Sequence, residues 1–376
     1  MRAFKPISLE KSKQSTPLVR FLAIVIFILL LFPQAYAFRA NFAFWVGKTT
    51  SSCESLPSWL STGPNWITSG THKYDNSTWT TYSNGLPSNV SMGQVAVIGD
   101  YVYLYGGFSG SANGETNAIH RAPVSNPTSM TKLSPTLPAK IWRSHLAVIG
   151  DYIYLFGGRT ATANSSTTNA IYRAPVSDPT SWTTTGGTLP SKVESGHLAI
   201  IGDHVYILGG SNGNSPVNVI YRAPLSNPLS WTNTGATLPT TLLASSIAVI
   251  GDYAYLFGGA ISPGNHSNAI YRAPVSNPTS WTNIGATLPI PLSSAKLAII
   301  GDYIYLFGGT TTGATKLNSI YRAPVSDPTS WTNTGATLSE NIDSSHIAIV
   351  DDFVYLFGGY QLRGIYRAPL VKDCGP

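Results

Sequence analysis

Glycine pairs recur down this chain at 106–107, 157–158, 209–210, 258–259, 308–309 and 358–359, spaced by 51, 52, 49, 50 and 50 residues. So regular a period means that one supersecondary unit is built again and again, each copy burying its neighbour. The copy at Ile149-Gly-Asp-Tyr-Ile-Tyr-Leu-Phe-Gly-Gly158 continues into Asn169-Ala-Ile-Tyr-Arg-Ala-Pro-Val-Ser-Asp-Pro-Thr-Ser-Trp182. Both stretches return almost unchanged in the later units. The repeat therefore dictates architecture before it says anything about chemistry.

One unit divides into four short strands. His145 to Ile149 is apolar and forms strand a, and Gly150-Asp151 turns the chain. Tyr152 to Phe156 forms strand b, which ends on Gly157-Gly158, where glycine permits backbone angles and close approaches denied to other residues. A polar loop runs to Thr168, Ala170 to Ala174 forms strand c, and Pro175 to Ser181 turns with the help of Pro and Asp. Trp182 opens strand d, and Leu189-Pro190 leads on. No stretch of the repeats has helical spacing. Aromatics make up 11% of the chain and charges only 11%, beside 35 Gly and 26 Pro, a composition suited to many strands and tight turns. Six four-stranded units predict an all-β, six-bladed β-propeller.

The Gly-Gly after strand b, the aromatic in strand c and the Trp at fixed distance recur as Gly209-Gly210, Tyr221, Trp231; Gly258-Gly259, Tyr271, Trp281; and Gly308-Gly309, Tyr321, Trp331. This pattern resembles the kelch family over about residues 79–369. The first unit departs from it, with His120 and Met130 in place of the Tyr and Trp. The resemblance implies blades of kelch type. For function it implies a binding scaffold or, in a few members, an enzyme.

The last unit ends after its c strand, while an unmatched Trp strand, Trp79-Thr-Thr-Tyr, precedes the first unit. The N-terminal strand is therefore expected to complete the sixth blade, closing the ring and removing its sheet edges. The propeller is assigned to residues 79–376. Residues 38–78 match no repeat, and their aromatics (Phe42, Phe44, Trp45, Trp59, Trp66, Tyr74) are expected to pack against the outside or one end of it. Gly47-Lys48-Thr49 has Phe42 where a phosphate loop needs its first glycine, so no such loop is read there.

Residues 1–37 read as a targeting segment. A basic stretch precedes the apolar run Phe21–Phe32, and Ala35-Tyr-Ala37 then offers a cleavage site. A membrane span needs about twenty apolar residues, and Arg20 and Pro33 confine the run to twelve. The expectation is a secreted or extracytoplasmic protein, in the periplasm or on the cell surface, without a stable span once the signal is cleaved. Export makes a disulfide between Cys53 and Cys374 plausible, since ring closure brings the two ends of the propeller together. Asn76, Asn89, Asn164 and Asn265 begin glycosylation triplets. The formal charge of +6 falls to +2 without residues 1–37, which hold five basic residues and one acidic (23 − 5 = 18 against 17 − 1 = 16). No basic run remains, so nucleic acid is excluded as a partner.

Antiparallel alternation puts the a–b and c–d turns on one face of the ring and the b–c and d–a loops on the other. The turns repeat from blade to blade and the loops differ. The loop face is thus the expected site for a glycan or protein ligand. Strand a begins with Gln94, His145, His197, Ser246, Lys296 and His346, a predicted ring at the channel mouth. Three histidines in one ring raise a metal hypothesis. Histidine here is also similar to a backbone-bonding structural residue of kelch blades, and neither metal nor cofactor is expected.

Trp142, Arg143, Lys140, Lys192, Glu194, Glu340 and Asp343 are expected around this ring. Trp142 is read as exposed and suited to sugar stacking. The ligand set is accordingly Trp142, Arg143, His145, His197, Lys296 and His346. The alternative is a sugar-processing enzyme similar to sialic-acid mutarotases, with Glu194 and Arg143 as its acid–base pair. Sialidase and copper-radical oxidase readings fail. Arg121, Arg173, Arg222, Arg272, Arg322 and Arg367 occupy one equivalent position, and no cysteine lies within the blades. Those arginines are expected to bond at or near the a–b turn aspartates (Asp100, Asp151, Asp203, Asp252, Asp302, Asp352).

Overall fold

The computed structural model describes residues 66–67, 72–111, 114–161 and 166–372. The targeting segment, Cys53, Cys374 and Asn164 lie outside these residues. Six sheets, each with four antiparallel strands and one with a short parallel strand added at its inner edge, form the blades of a β-propeller. Blade 2, for example, comprises strands a to d at His145–Ile149, Tyr152–Phe156, Ala170–Pro175 and Thr183–Thr188. Blades 1 and 3 to 5 begin their a strands at Gln94, His197, Ser246 and Lys296. Blade 6 has strands His346–Val350, Phe353–Gly359 and Leu362–Pro369, and its fourth strand is Thr80–Tyr82 from the opposite end of the propeller sequence. Thr80, Thr81 and Tyr82 pair with Arg367, Tyr366 and Ile365, which is the closure expected from the sequence. Among the described residues there is no α-helix, and no helix is long and apolar enough to cross a membrane.

The core lies between blades. Trp182 of blade 2 meets Tyr105 of blade 1 edge-on at 5.0 Å, and Trp231 and Trp331 repeat the contact on Phe156 and Phe257 at 5.0 Å. Each indole N–H also donates to a turn carbonyl, as in Trp182 to Pro179 O at 3.0 Å. The repeated Trp therefore cements one blade to the preceding one. Trp79 does the same for the closing strand, packing on Phe307 at 5.6 Å.

The repeated arginines stand beside the a–b turns, as expected, but stack on the aromatic that follows each aspartate instead of pairing with the carboxylate. The guanidinium groups of Arg121, Arg173, Arg272 and Arg322 lie 4.3 to 4.5 Å from the centres of the Tyr101, Tyr152, Tyr253 and Tyr303 rings, and Arg367 lies 4.5 Å from that of Phe353. Each aromatic directly follows the turn in which the aspartate stands. Strands b and c pair so that this ring and the arginine share a face, and a weakly hydrated planar cation gains more over the ring than beside a solvated carboxylate.

The segment before the propeller also departs. Trp66–Ile67 pairs in parallel with Ala298 and Ile299 of the innermost strand of blade 5, and so lies on the channel side. The free backbone edge of an inner strand invites such pairing. His72–Lys73 then pairs with Val371–Lys372, and His72 Nε2 lies 3.0 Å from Asp352 Oδ1. Tyr74 is buried against Tyr305 and Phe307 of blade 5.

Candidate functional site

The two sets of loops meet on one face, as the alternation of strands requires. Isolated bridges join the d–a segment entering a blade to its b–c loop: Ser91 with Phe108, Trp142 with Arg159, Glu194 with Ser211, Leu243 with Ala260, and Ser293 with Thr310. Beneath them runs a closed circle of backbone hydrogen bonds. Arg143 N donates to Met92 O, Ser195 to Arg143, Ala244 to Ser195, Ser294 to Ala244, Ser344 to Ser294 and Met92 to Ser344, at 2.6 to 3.3 Å. All six residues have left-handed φ between 47° and 56°. None is glycine, so each accepts a strained conformation, at about 1 kcal/mol, to bond its neighbours around the channel mouth.

Two residues further on stands the predicted side-chain ring. Gln94 Nε2 donates to Ser144 O at 2.6 Å, and Ser246 Oγ to Ala295 O at 3.2 Å. His197 Nε2 lies 2.9 Å from Ser245 Oγ. In all three the partner belongs to the next blade and directly precedes that blade's ring residue. His145 and His346 bond the carbonyls of Phe156 and Phe357 through Nδ1, at 3.2 and 3.1 Å. Their Nε2 atoms meet no partner of good geometry, although Gly196 of the next blade stands beside that of His145. His145 and His346 thus bind backbone in the manner the kelch resemblance implied, whereas His197 meets a side-chain hydroxyl. Among the described residues no group of three His, Cys, Asp or Glu side chains is arranged to hold a metal ion.

Burial governs the titration of the ring. It lowers His145 to about 4 and, helped by the nearby charges of His145 and Lys296 respectively, lowers His197 and His346 to about 3. His120, buried in strand c of blade 1, falls to about 4. Histidines in the unfolded chain titrate near 6.5. Between about pH 6.5 and 4 the unfolded state therefore binds more protons, and stability drops as pH falls, by about 1.4 kcal/mol per pH unit for each histidine. Glu194, raised by burial, works in the opposite sense but is one group. The melting temperature is expected to be clearly lower at pH 5 than at pH 7. A transition that does not move would mean the ring is solvated.

Outside the ring, blade interfaces on this face differ from one another. The Phe108 ring of blade 1 stacks on Trp142 at 4.8 Å. Arg159 Nη2 of blade 2 lies 2.7 Å from Glu194 Oε1 at the entry to blade 3. His266 Nδ1 lies 2.8 Å from Ser293 Oγ, and Lys316 Nζ 3.3 Å from Asp343 Oδ1. Much of the loop variation seen in the sequence is therefore matched in pairs across blade boundaries.

Trp142, Arg143 and Glu194 come together as expected, but not in the expected state. Trp142 is only 5% exposed, covered by Phe108 and by the Arg143 guanidinium 4.4 Å from its centre. It offers no open platform for a sugar. The chain entering blade 2 bends inward at the left-handed Arg143, which draws the neighbouring indole into the interface. Glu194 is 2% exposed and committed to Arg159. Burial lowers Arg143, partly offset by the Glu194 charge. Lys296 is lowered by burial to about 8, with Asp343 pulling the other way. Glu340 sits elsewhere, accepting the Tyr366 hydroxyl at 3.1 Å beside strand c. Lys140 and Lys192 are exposed in the d–a loops. Arg159, Thr167 and Glu115 carry no signal in the sequence beyond their place in variable loops.

No family model matches the chain. It is 30% identical over 146 residues to Kelch domain-containing protein 3 of Bos taurus, covering 35% of this chain and 37% of the relative. The same figures hold for Kelch domain-containing protein 3 of Rattus norvegicus and of Mus musculus. The match thus spans little more than a third of the length of these relatives. With six four-stranded blades and the Gly-Gly, Tyr and Trp repeat, the chain is a kelch-repeat β-propeller. That class of fold suggests a binding or interaction protein.

Proposed function

We propose that this protein is a non-catalytic binding module that takes a glycan or protein ligand on its loop face. One observation carries the reading. The turn face repeats the same stacked arginine and aromatic in most blades, whereas the loop face differs from sector to sector and exposes Lys140 and Lys192, with Lys316 half-buried, while burying Glu115 and Glu194. Recognition requires an asymmetric surface, and the turn face is close to symmetric. The buried ion pair of Glu194 favours binding over acid–base chemistry, because that carboxylate already holds a guanidinium.

The test is a screen of the protein on a glycan array and against a displayed peptide library. A Lys140→Glu/Lys192→Glu variant is expected to lose at least about tenfold in affinity for any ligand found, a change of about 1.4 kcal/mol. Asp252→Lys on the turn face is expected to leave it unchanged. The opposite pattern would move the site to the turn face and sink the proposal.

A further inference from the structure

We infer that the sector of the loop face between blades 1 and 3 binds a neutral, hydroxyl-rich ligand, either a sugar unit of a glycan or a free polyol, through Glu115, Trp142, Arg159, Thr167 and Glu194. This rests on the loop-face reading above and gives it a chemical class.

The five side chains form one contiguous group. Arg159 is bridged to Trp142 on one side and Thr167 on the other, so the three lie side by side across neighbouring strands. Glu194 joins them through its ion pair with Arg159. Glu115 is bridged to Phe108, whose ring stacks on Trp142. All five are more than nine-tenths buried. Each nevertheless keeps one polar atom without a partner among the described residues: Glu115 Oε1, Trp142 Nε1, Arg159 Nε, Thr167 Oγ1 and Glu194 Oε2. An unmatched buried group costs about 1 to 3 kcal/mol. Five in one sector point to a partner that the described residues do not supply.

The chemistry of the open positions selects the ligand class. Trp142 and Arg159 offer N–H donors, Glu115 and Glu194 offer carboxylate acceptors, and Thr167 offers a hydroxyl that does either. Groups that both donate and accept satisfy such a mixture at close spacing, as vicinal hydroxyls do. Charge points the same way. Arg143 and Arg159 stand against Glu115 and Glu194, so the sector is formally neutral and gives a net ion no counter-charge. With Phe108 and Arg143 covering the indole, Trp142 acts through its N–H edge instead of by stacking. The equivalent bridge of blade 4 is Leu243 with Ala260, so the group belongs to one sector and not to the sixfold architecture.

The test is titration calorimetry of the full chain with glucose, galactose, mannose and N-acetylglucosamine, with glycerol and myo-inositol as free polyols, and with N-acetylneuraminic acid as an anionic control. At least one neutral probe is expected to bind. A sugar hit without a polyol hit assigns a glycan unit, and the converse assigns a free polyol. Trp142→Phe, which removes the N–H and leaves a smaller ring, and Thr167→Val, which removes only the hydroxyl, are each expected to weaken binding about tenfold, with Thr167→Val leaving the melting transition unchanged. The inference fails if no neutral probe binds, if only the anionic sugar binds, or if both variants bind as the parent does. A ligand lost in Lys140→Glu/Lys192→Glu but kept in Trp142→Phe and Thr167→Val would leave the loop-face reading standing and overturn this one.

Discussion

Gly157→Ala is expected to destabilise the protein by about 3 to 5 kcal/mol, whereas Gly150→Ala, at the other end of the same strand, costs about 1 kcal/mol. Both glycines are left-handed, with φ of 58° and 57°. They differ in their surroundings. A Cβ on Gly157 would lie 2.4 Å from the Val193 carbonyl oxygen at the entry to blade 3, and a Cβ on Gly150 would meet nothing within 4 Å. The same carbonyl accepts the Gly158 N–H at 2.7 Å, so relieving the clash separates two blades that this bond joins. A Cβ on Gly308 would lie 2.2 Å from Ile342 O and one on Gly358 2.1 Å from Val90 O, so the effect should recur around the ring. Urea denaturation of the two variants measures the difference. Equal losses would mean that backbone strain alone explains the glycine pair.

Trp79→Ala is expected to cost about 3 to 5 kcal/mol, the range for truncating a buried aromatic, and more than Trp231→Ala in blade 3. Trp79 is buried, donates its indole N–H to Tyr74 Oη at 3.0 Å and packs on Phe307. It precedes a closing strand of only three residues, Thr80–Tyr82, where Trp231 precedes the six residues Thr232–Thr237. A short strand depends more on its anchor. Loss of that anchor frees the edge of strand c in blade 6, so the variant should also be cleaved faster by protease near its ends. Thermal unfolding and limited proteolysis of the two variants decide the matter. A smaller loss at Trp79 than at Trp231 would show that closure does not rest on this residue.

The legibility of the site was uneven. Gln94, His145, His197, Ser246, Lys296 and His346 were found as a ring because each begins a strand, and strand starts follow from the period alone. The circle formed by Met92, Arg143, Ser195, Ala244, Ser294 and Ser344 left no mark. Its φ values are those glycine favours, yet no glycine stands at any of the six positions. Arg159 and Glu194 were likewise unpaired in the sequence, being 35 residues apart in different blades (194 − 159). Loop variation in the sequence points to ligand binding. Part of it is now accounted for by pairs such as Lys316 with Asp343, which fit one blade to the next.

The sequence by itself determined the number of blades, the strands within each and the closure by Thr80–Tyr82. Strand, turn and glycine signals are local, and the period repeats them at fixed distance. Only the tertiary structure decided which side chains meet across blades, that the repeated arginines lie over aromatic rings, and that Trp142 is covered. Those contacts depend on the angle between neighbouring sheets and on the inward bend at the left-handed residues. Both are set when six blades close on one another and neither is encoded within a single unit.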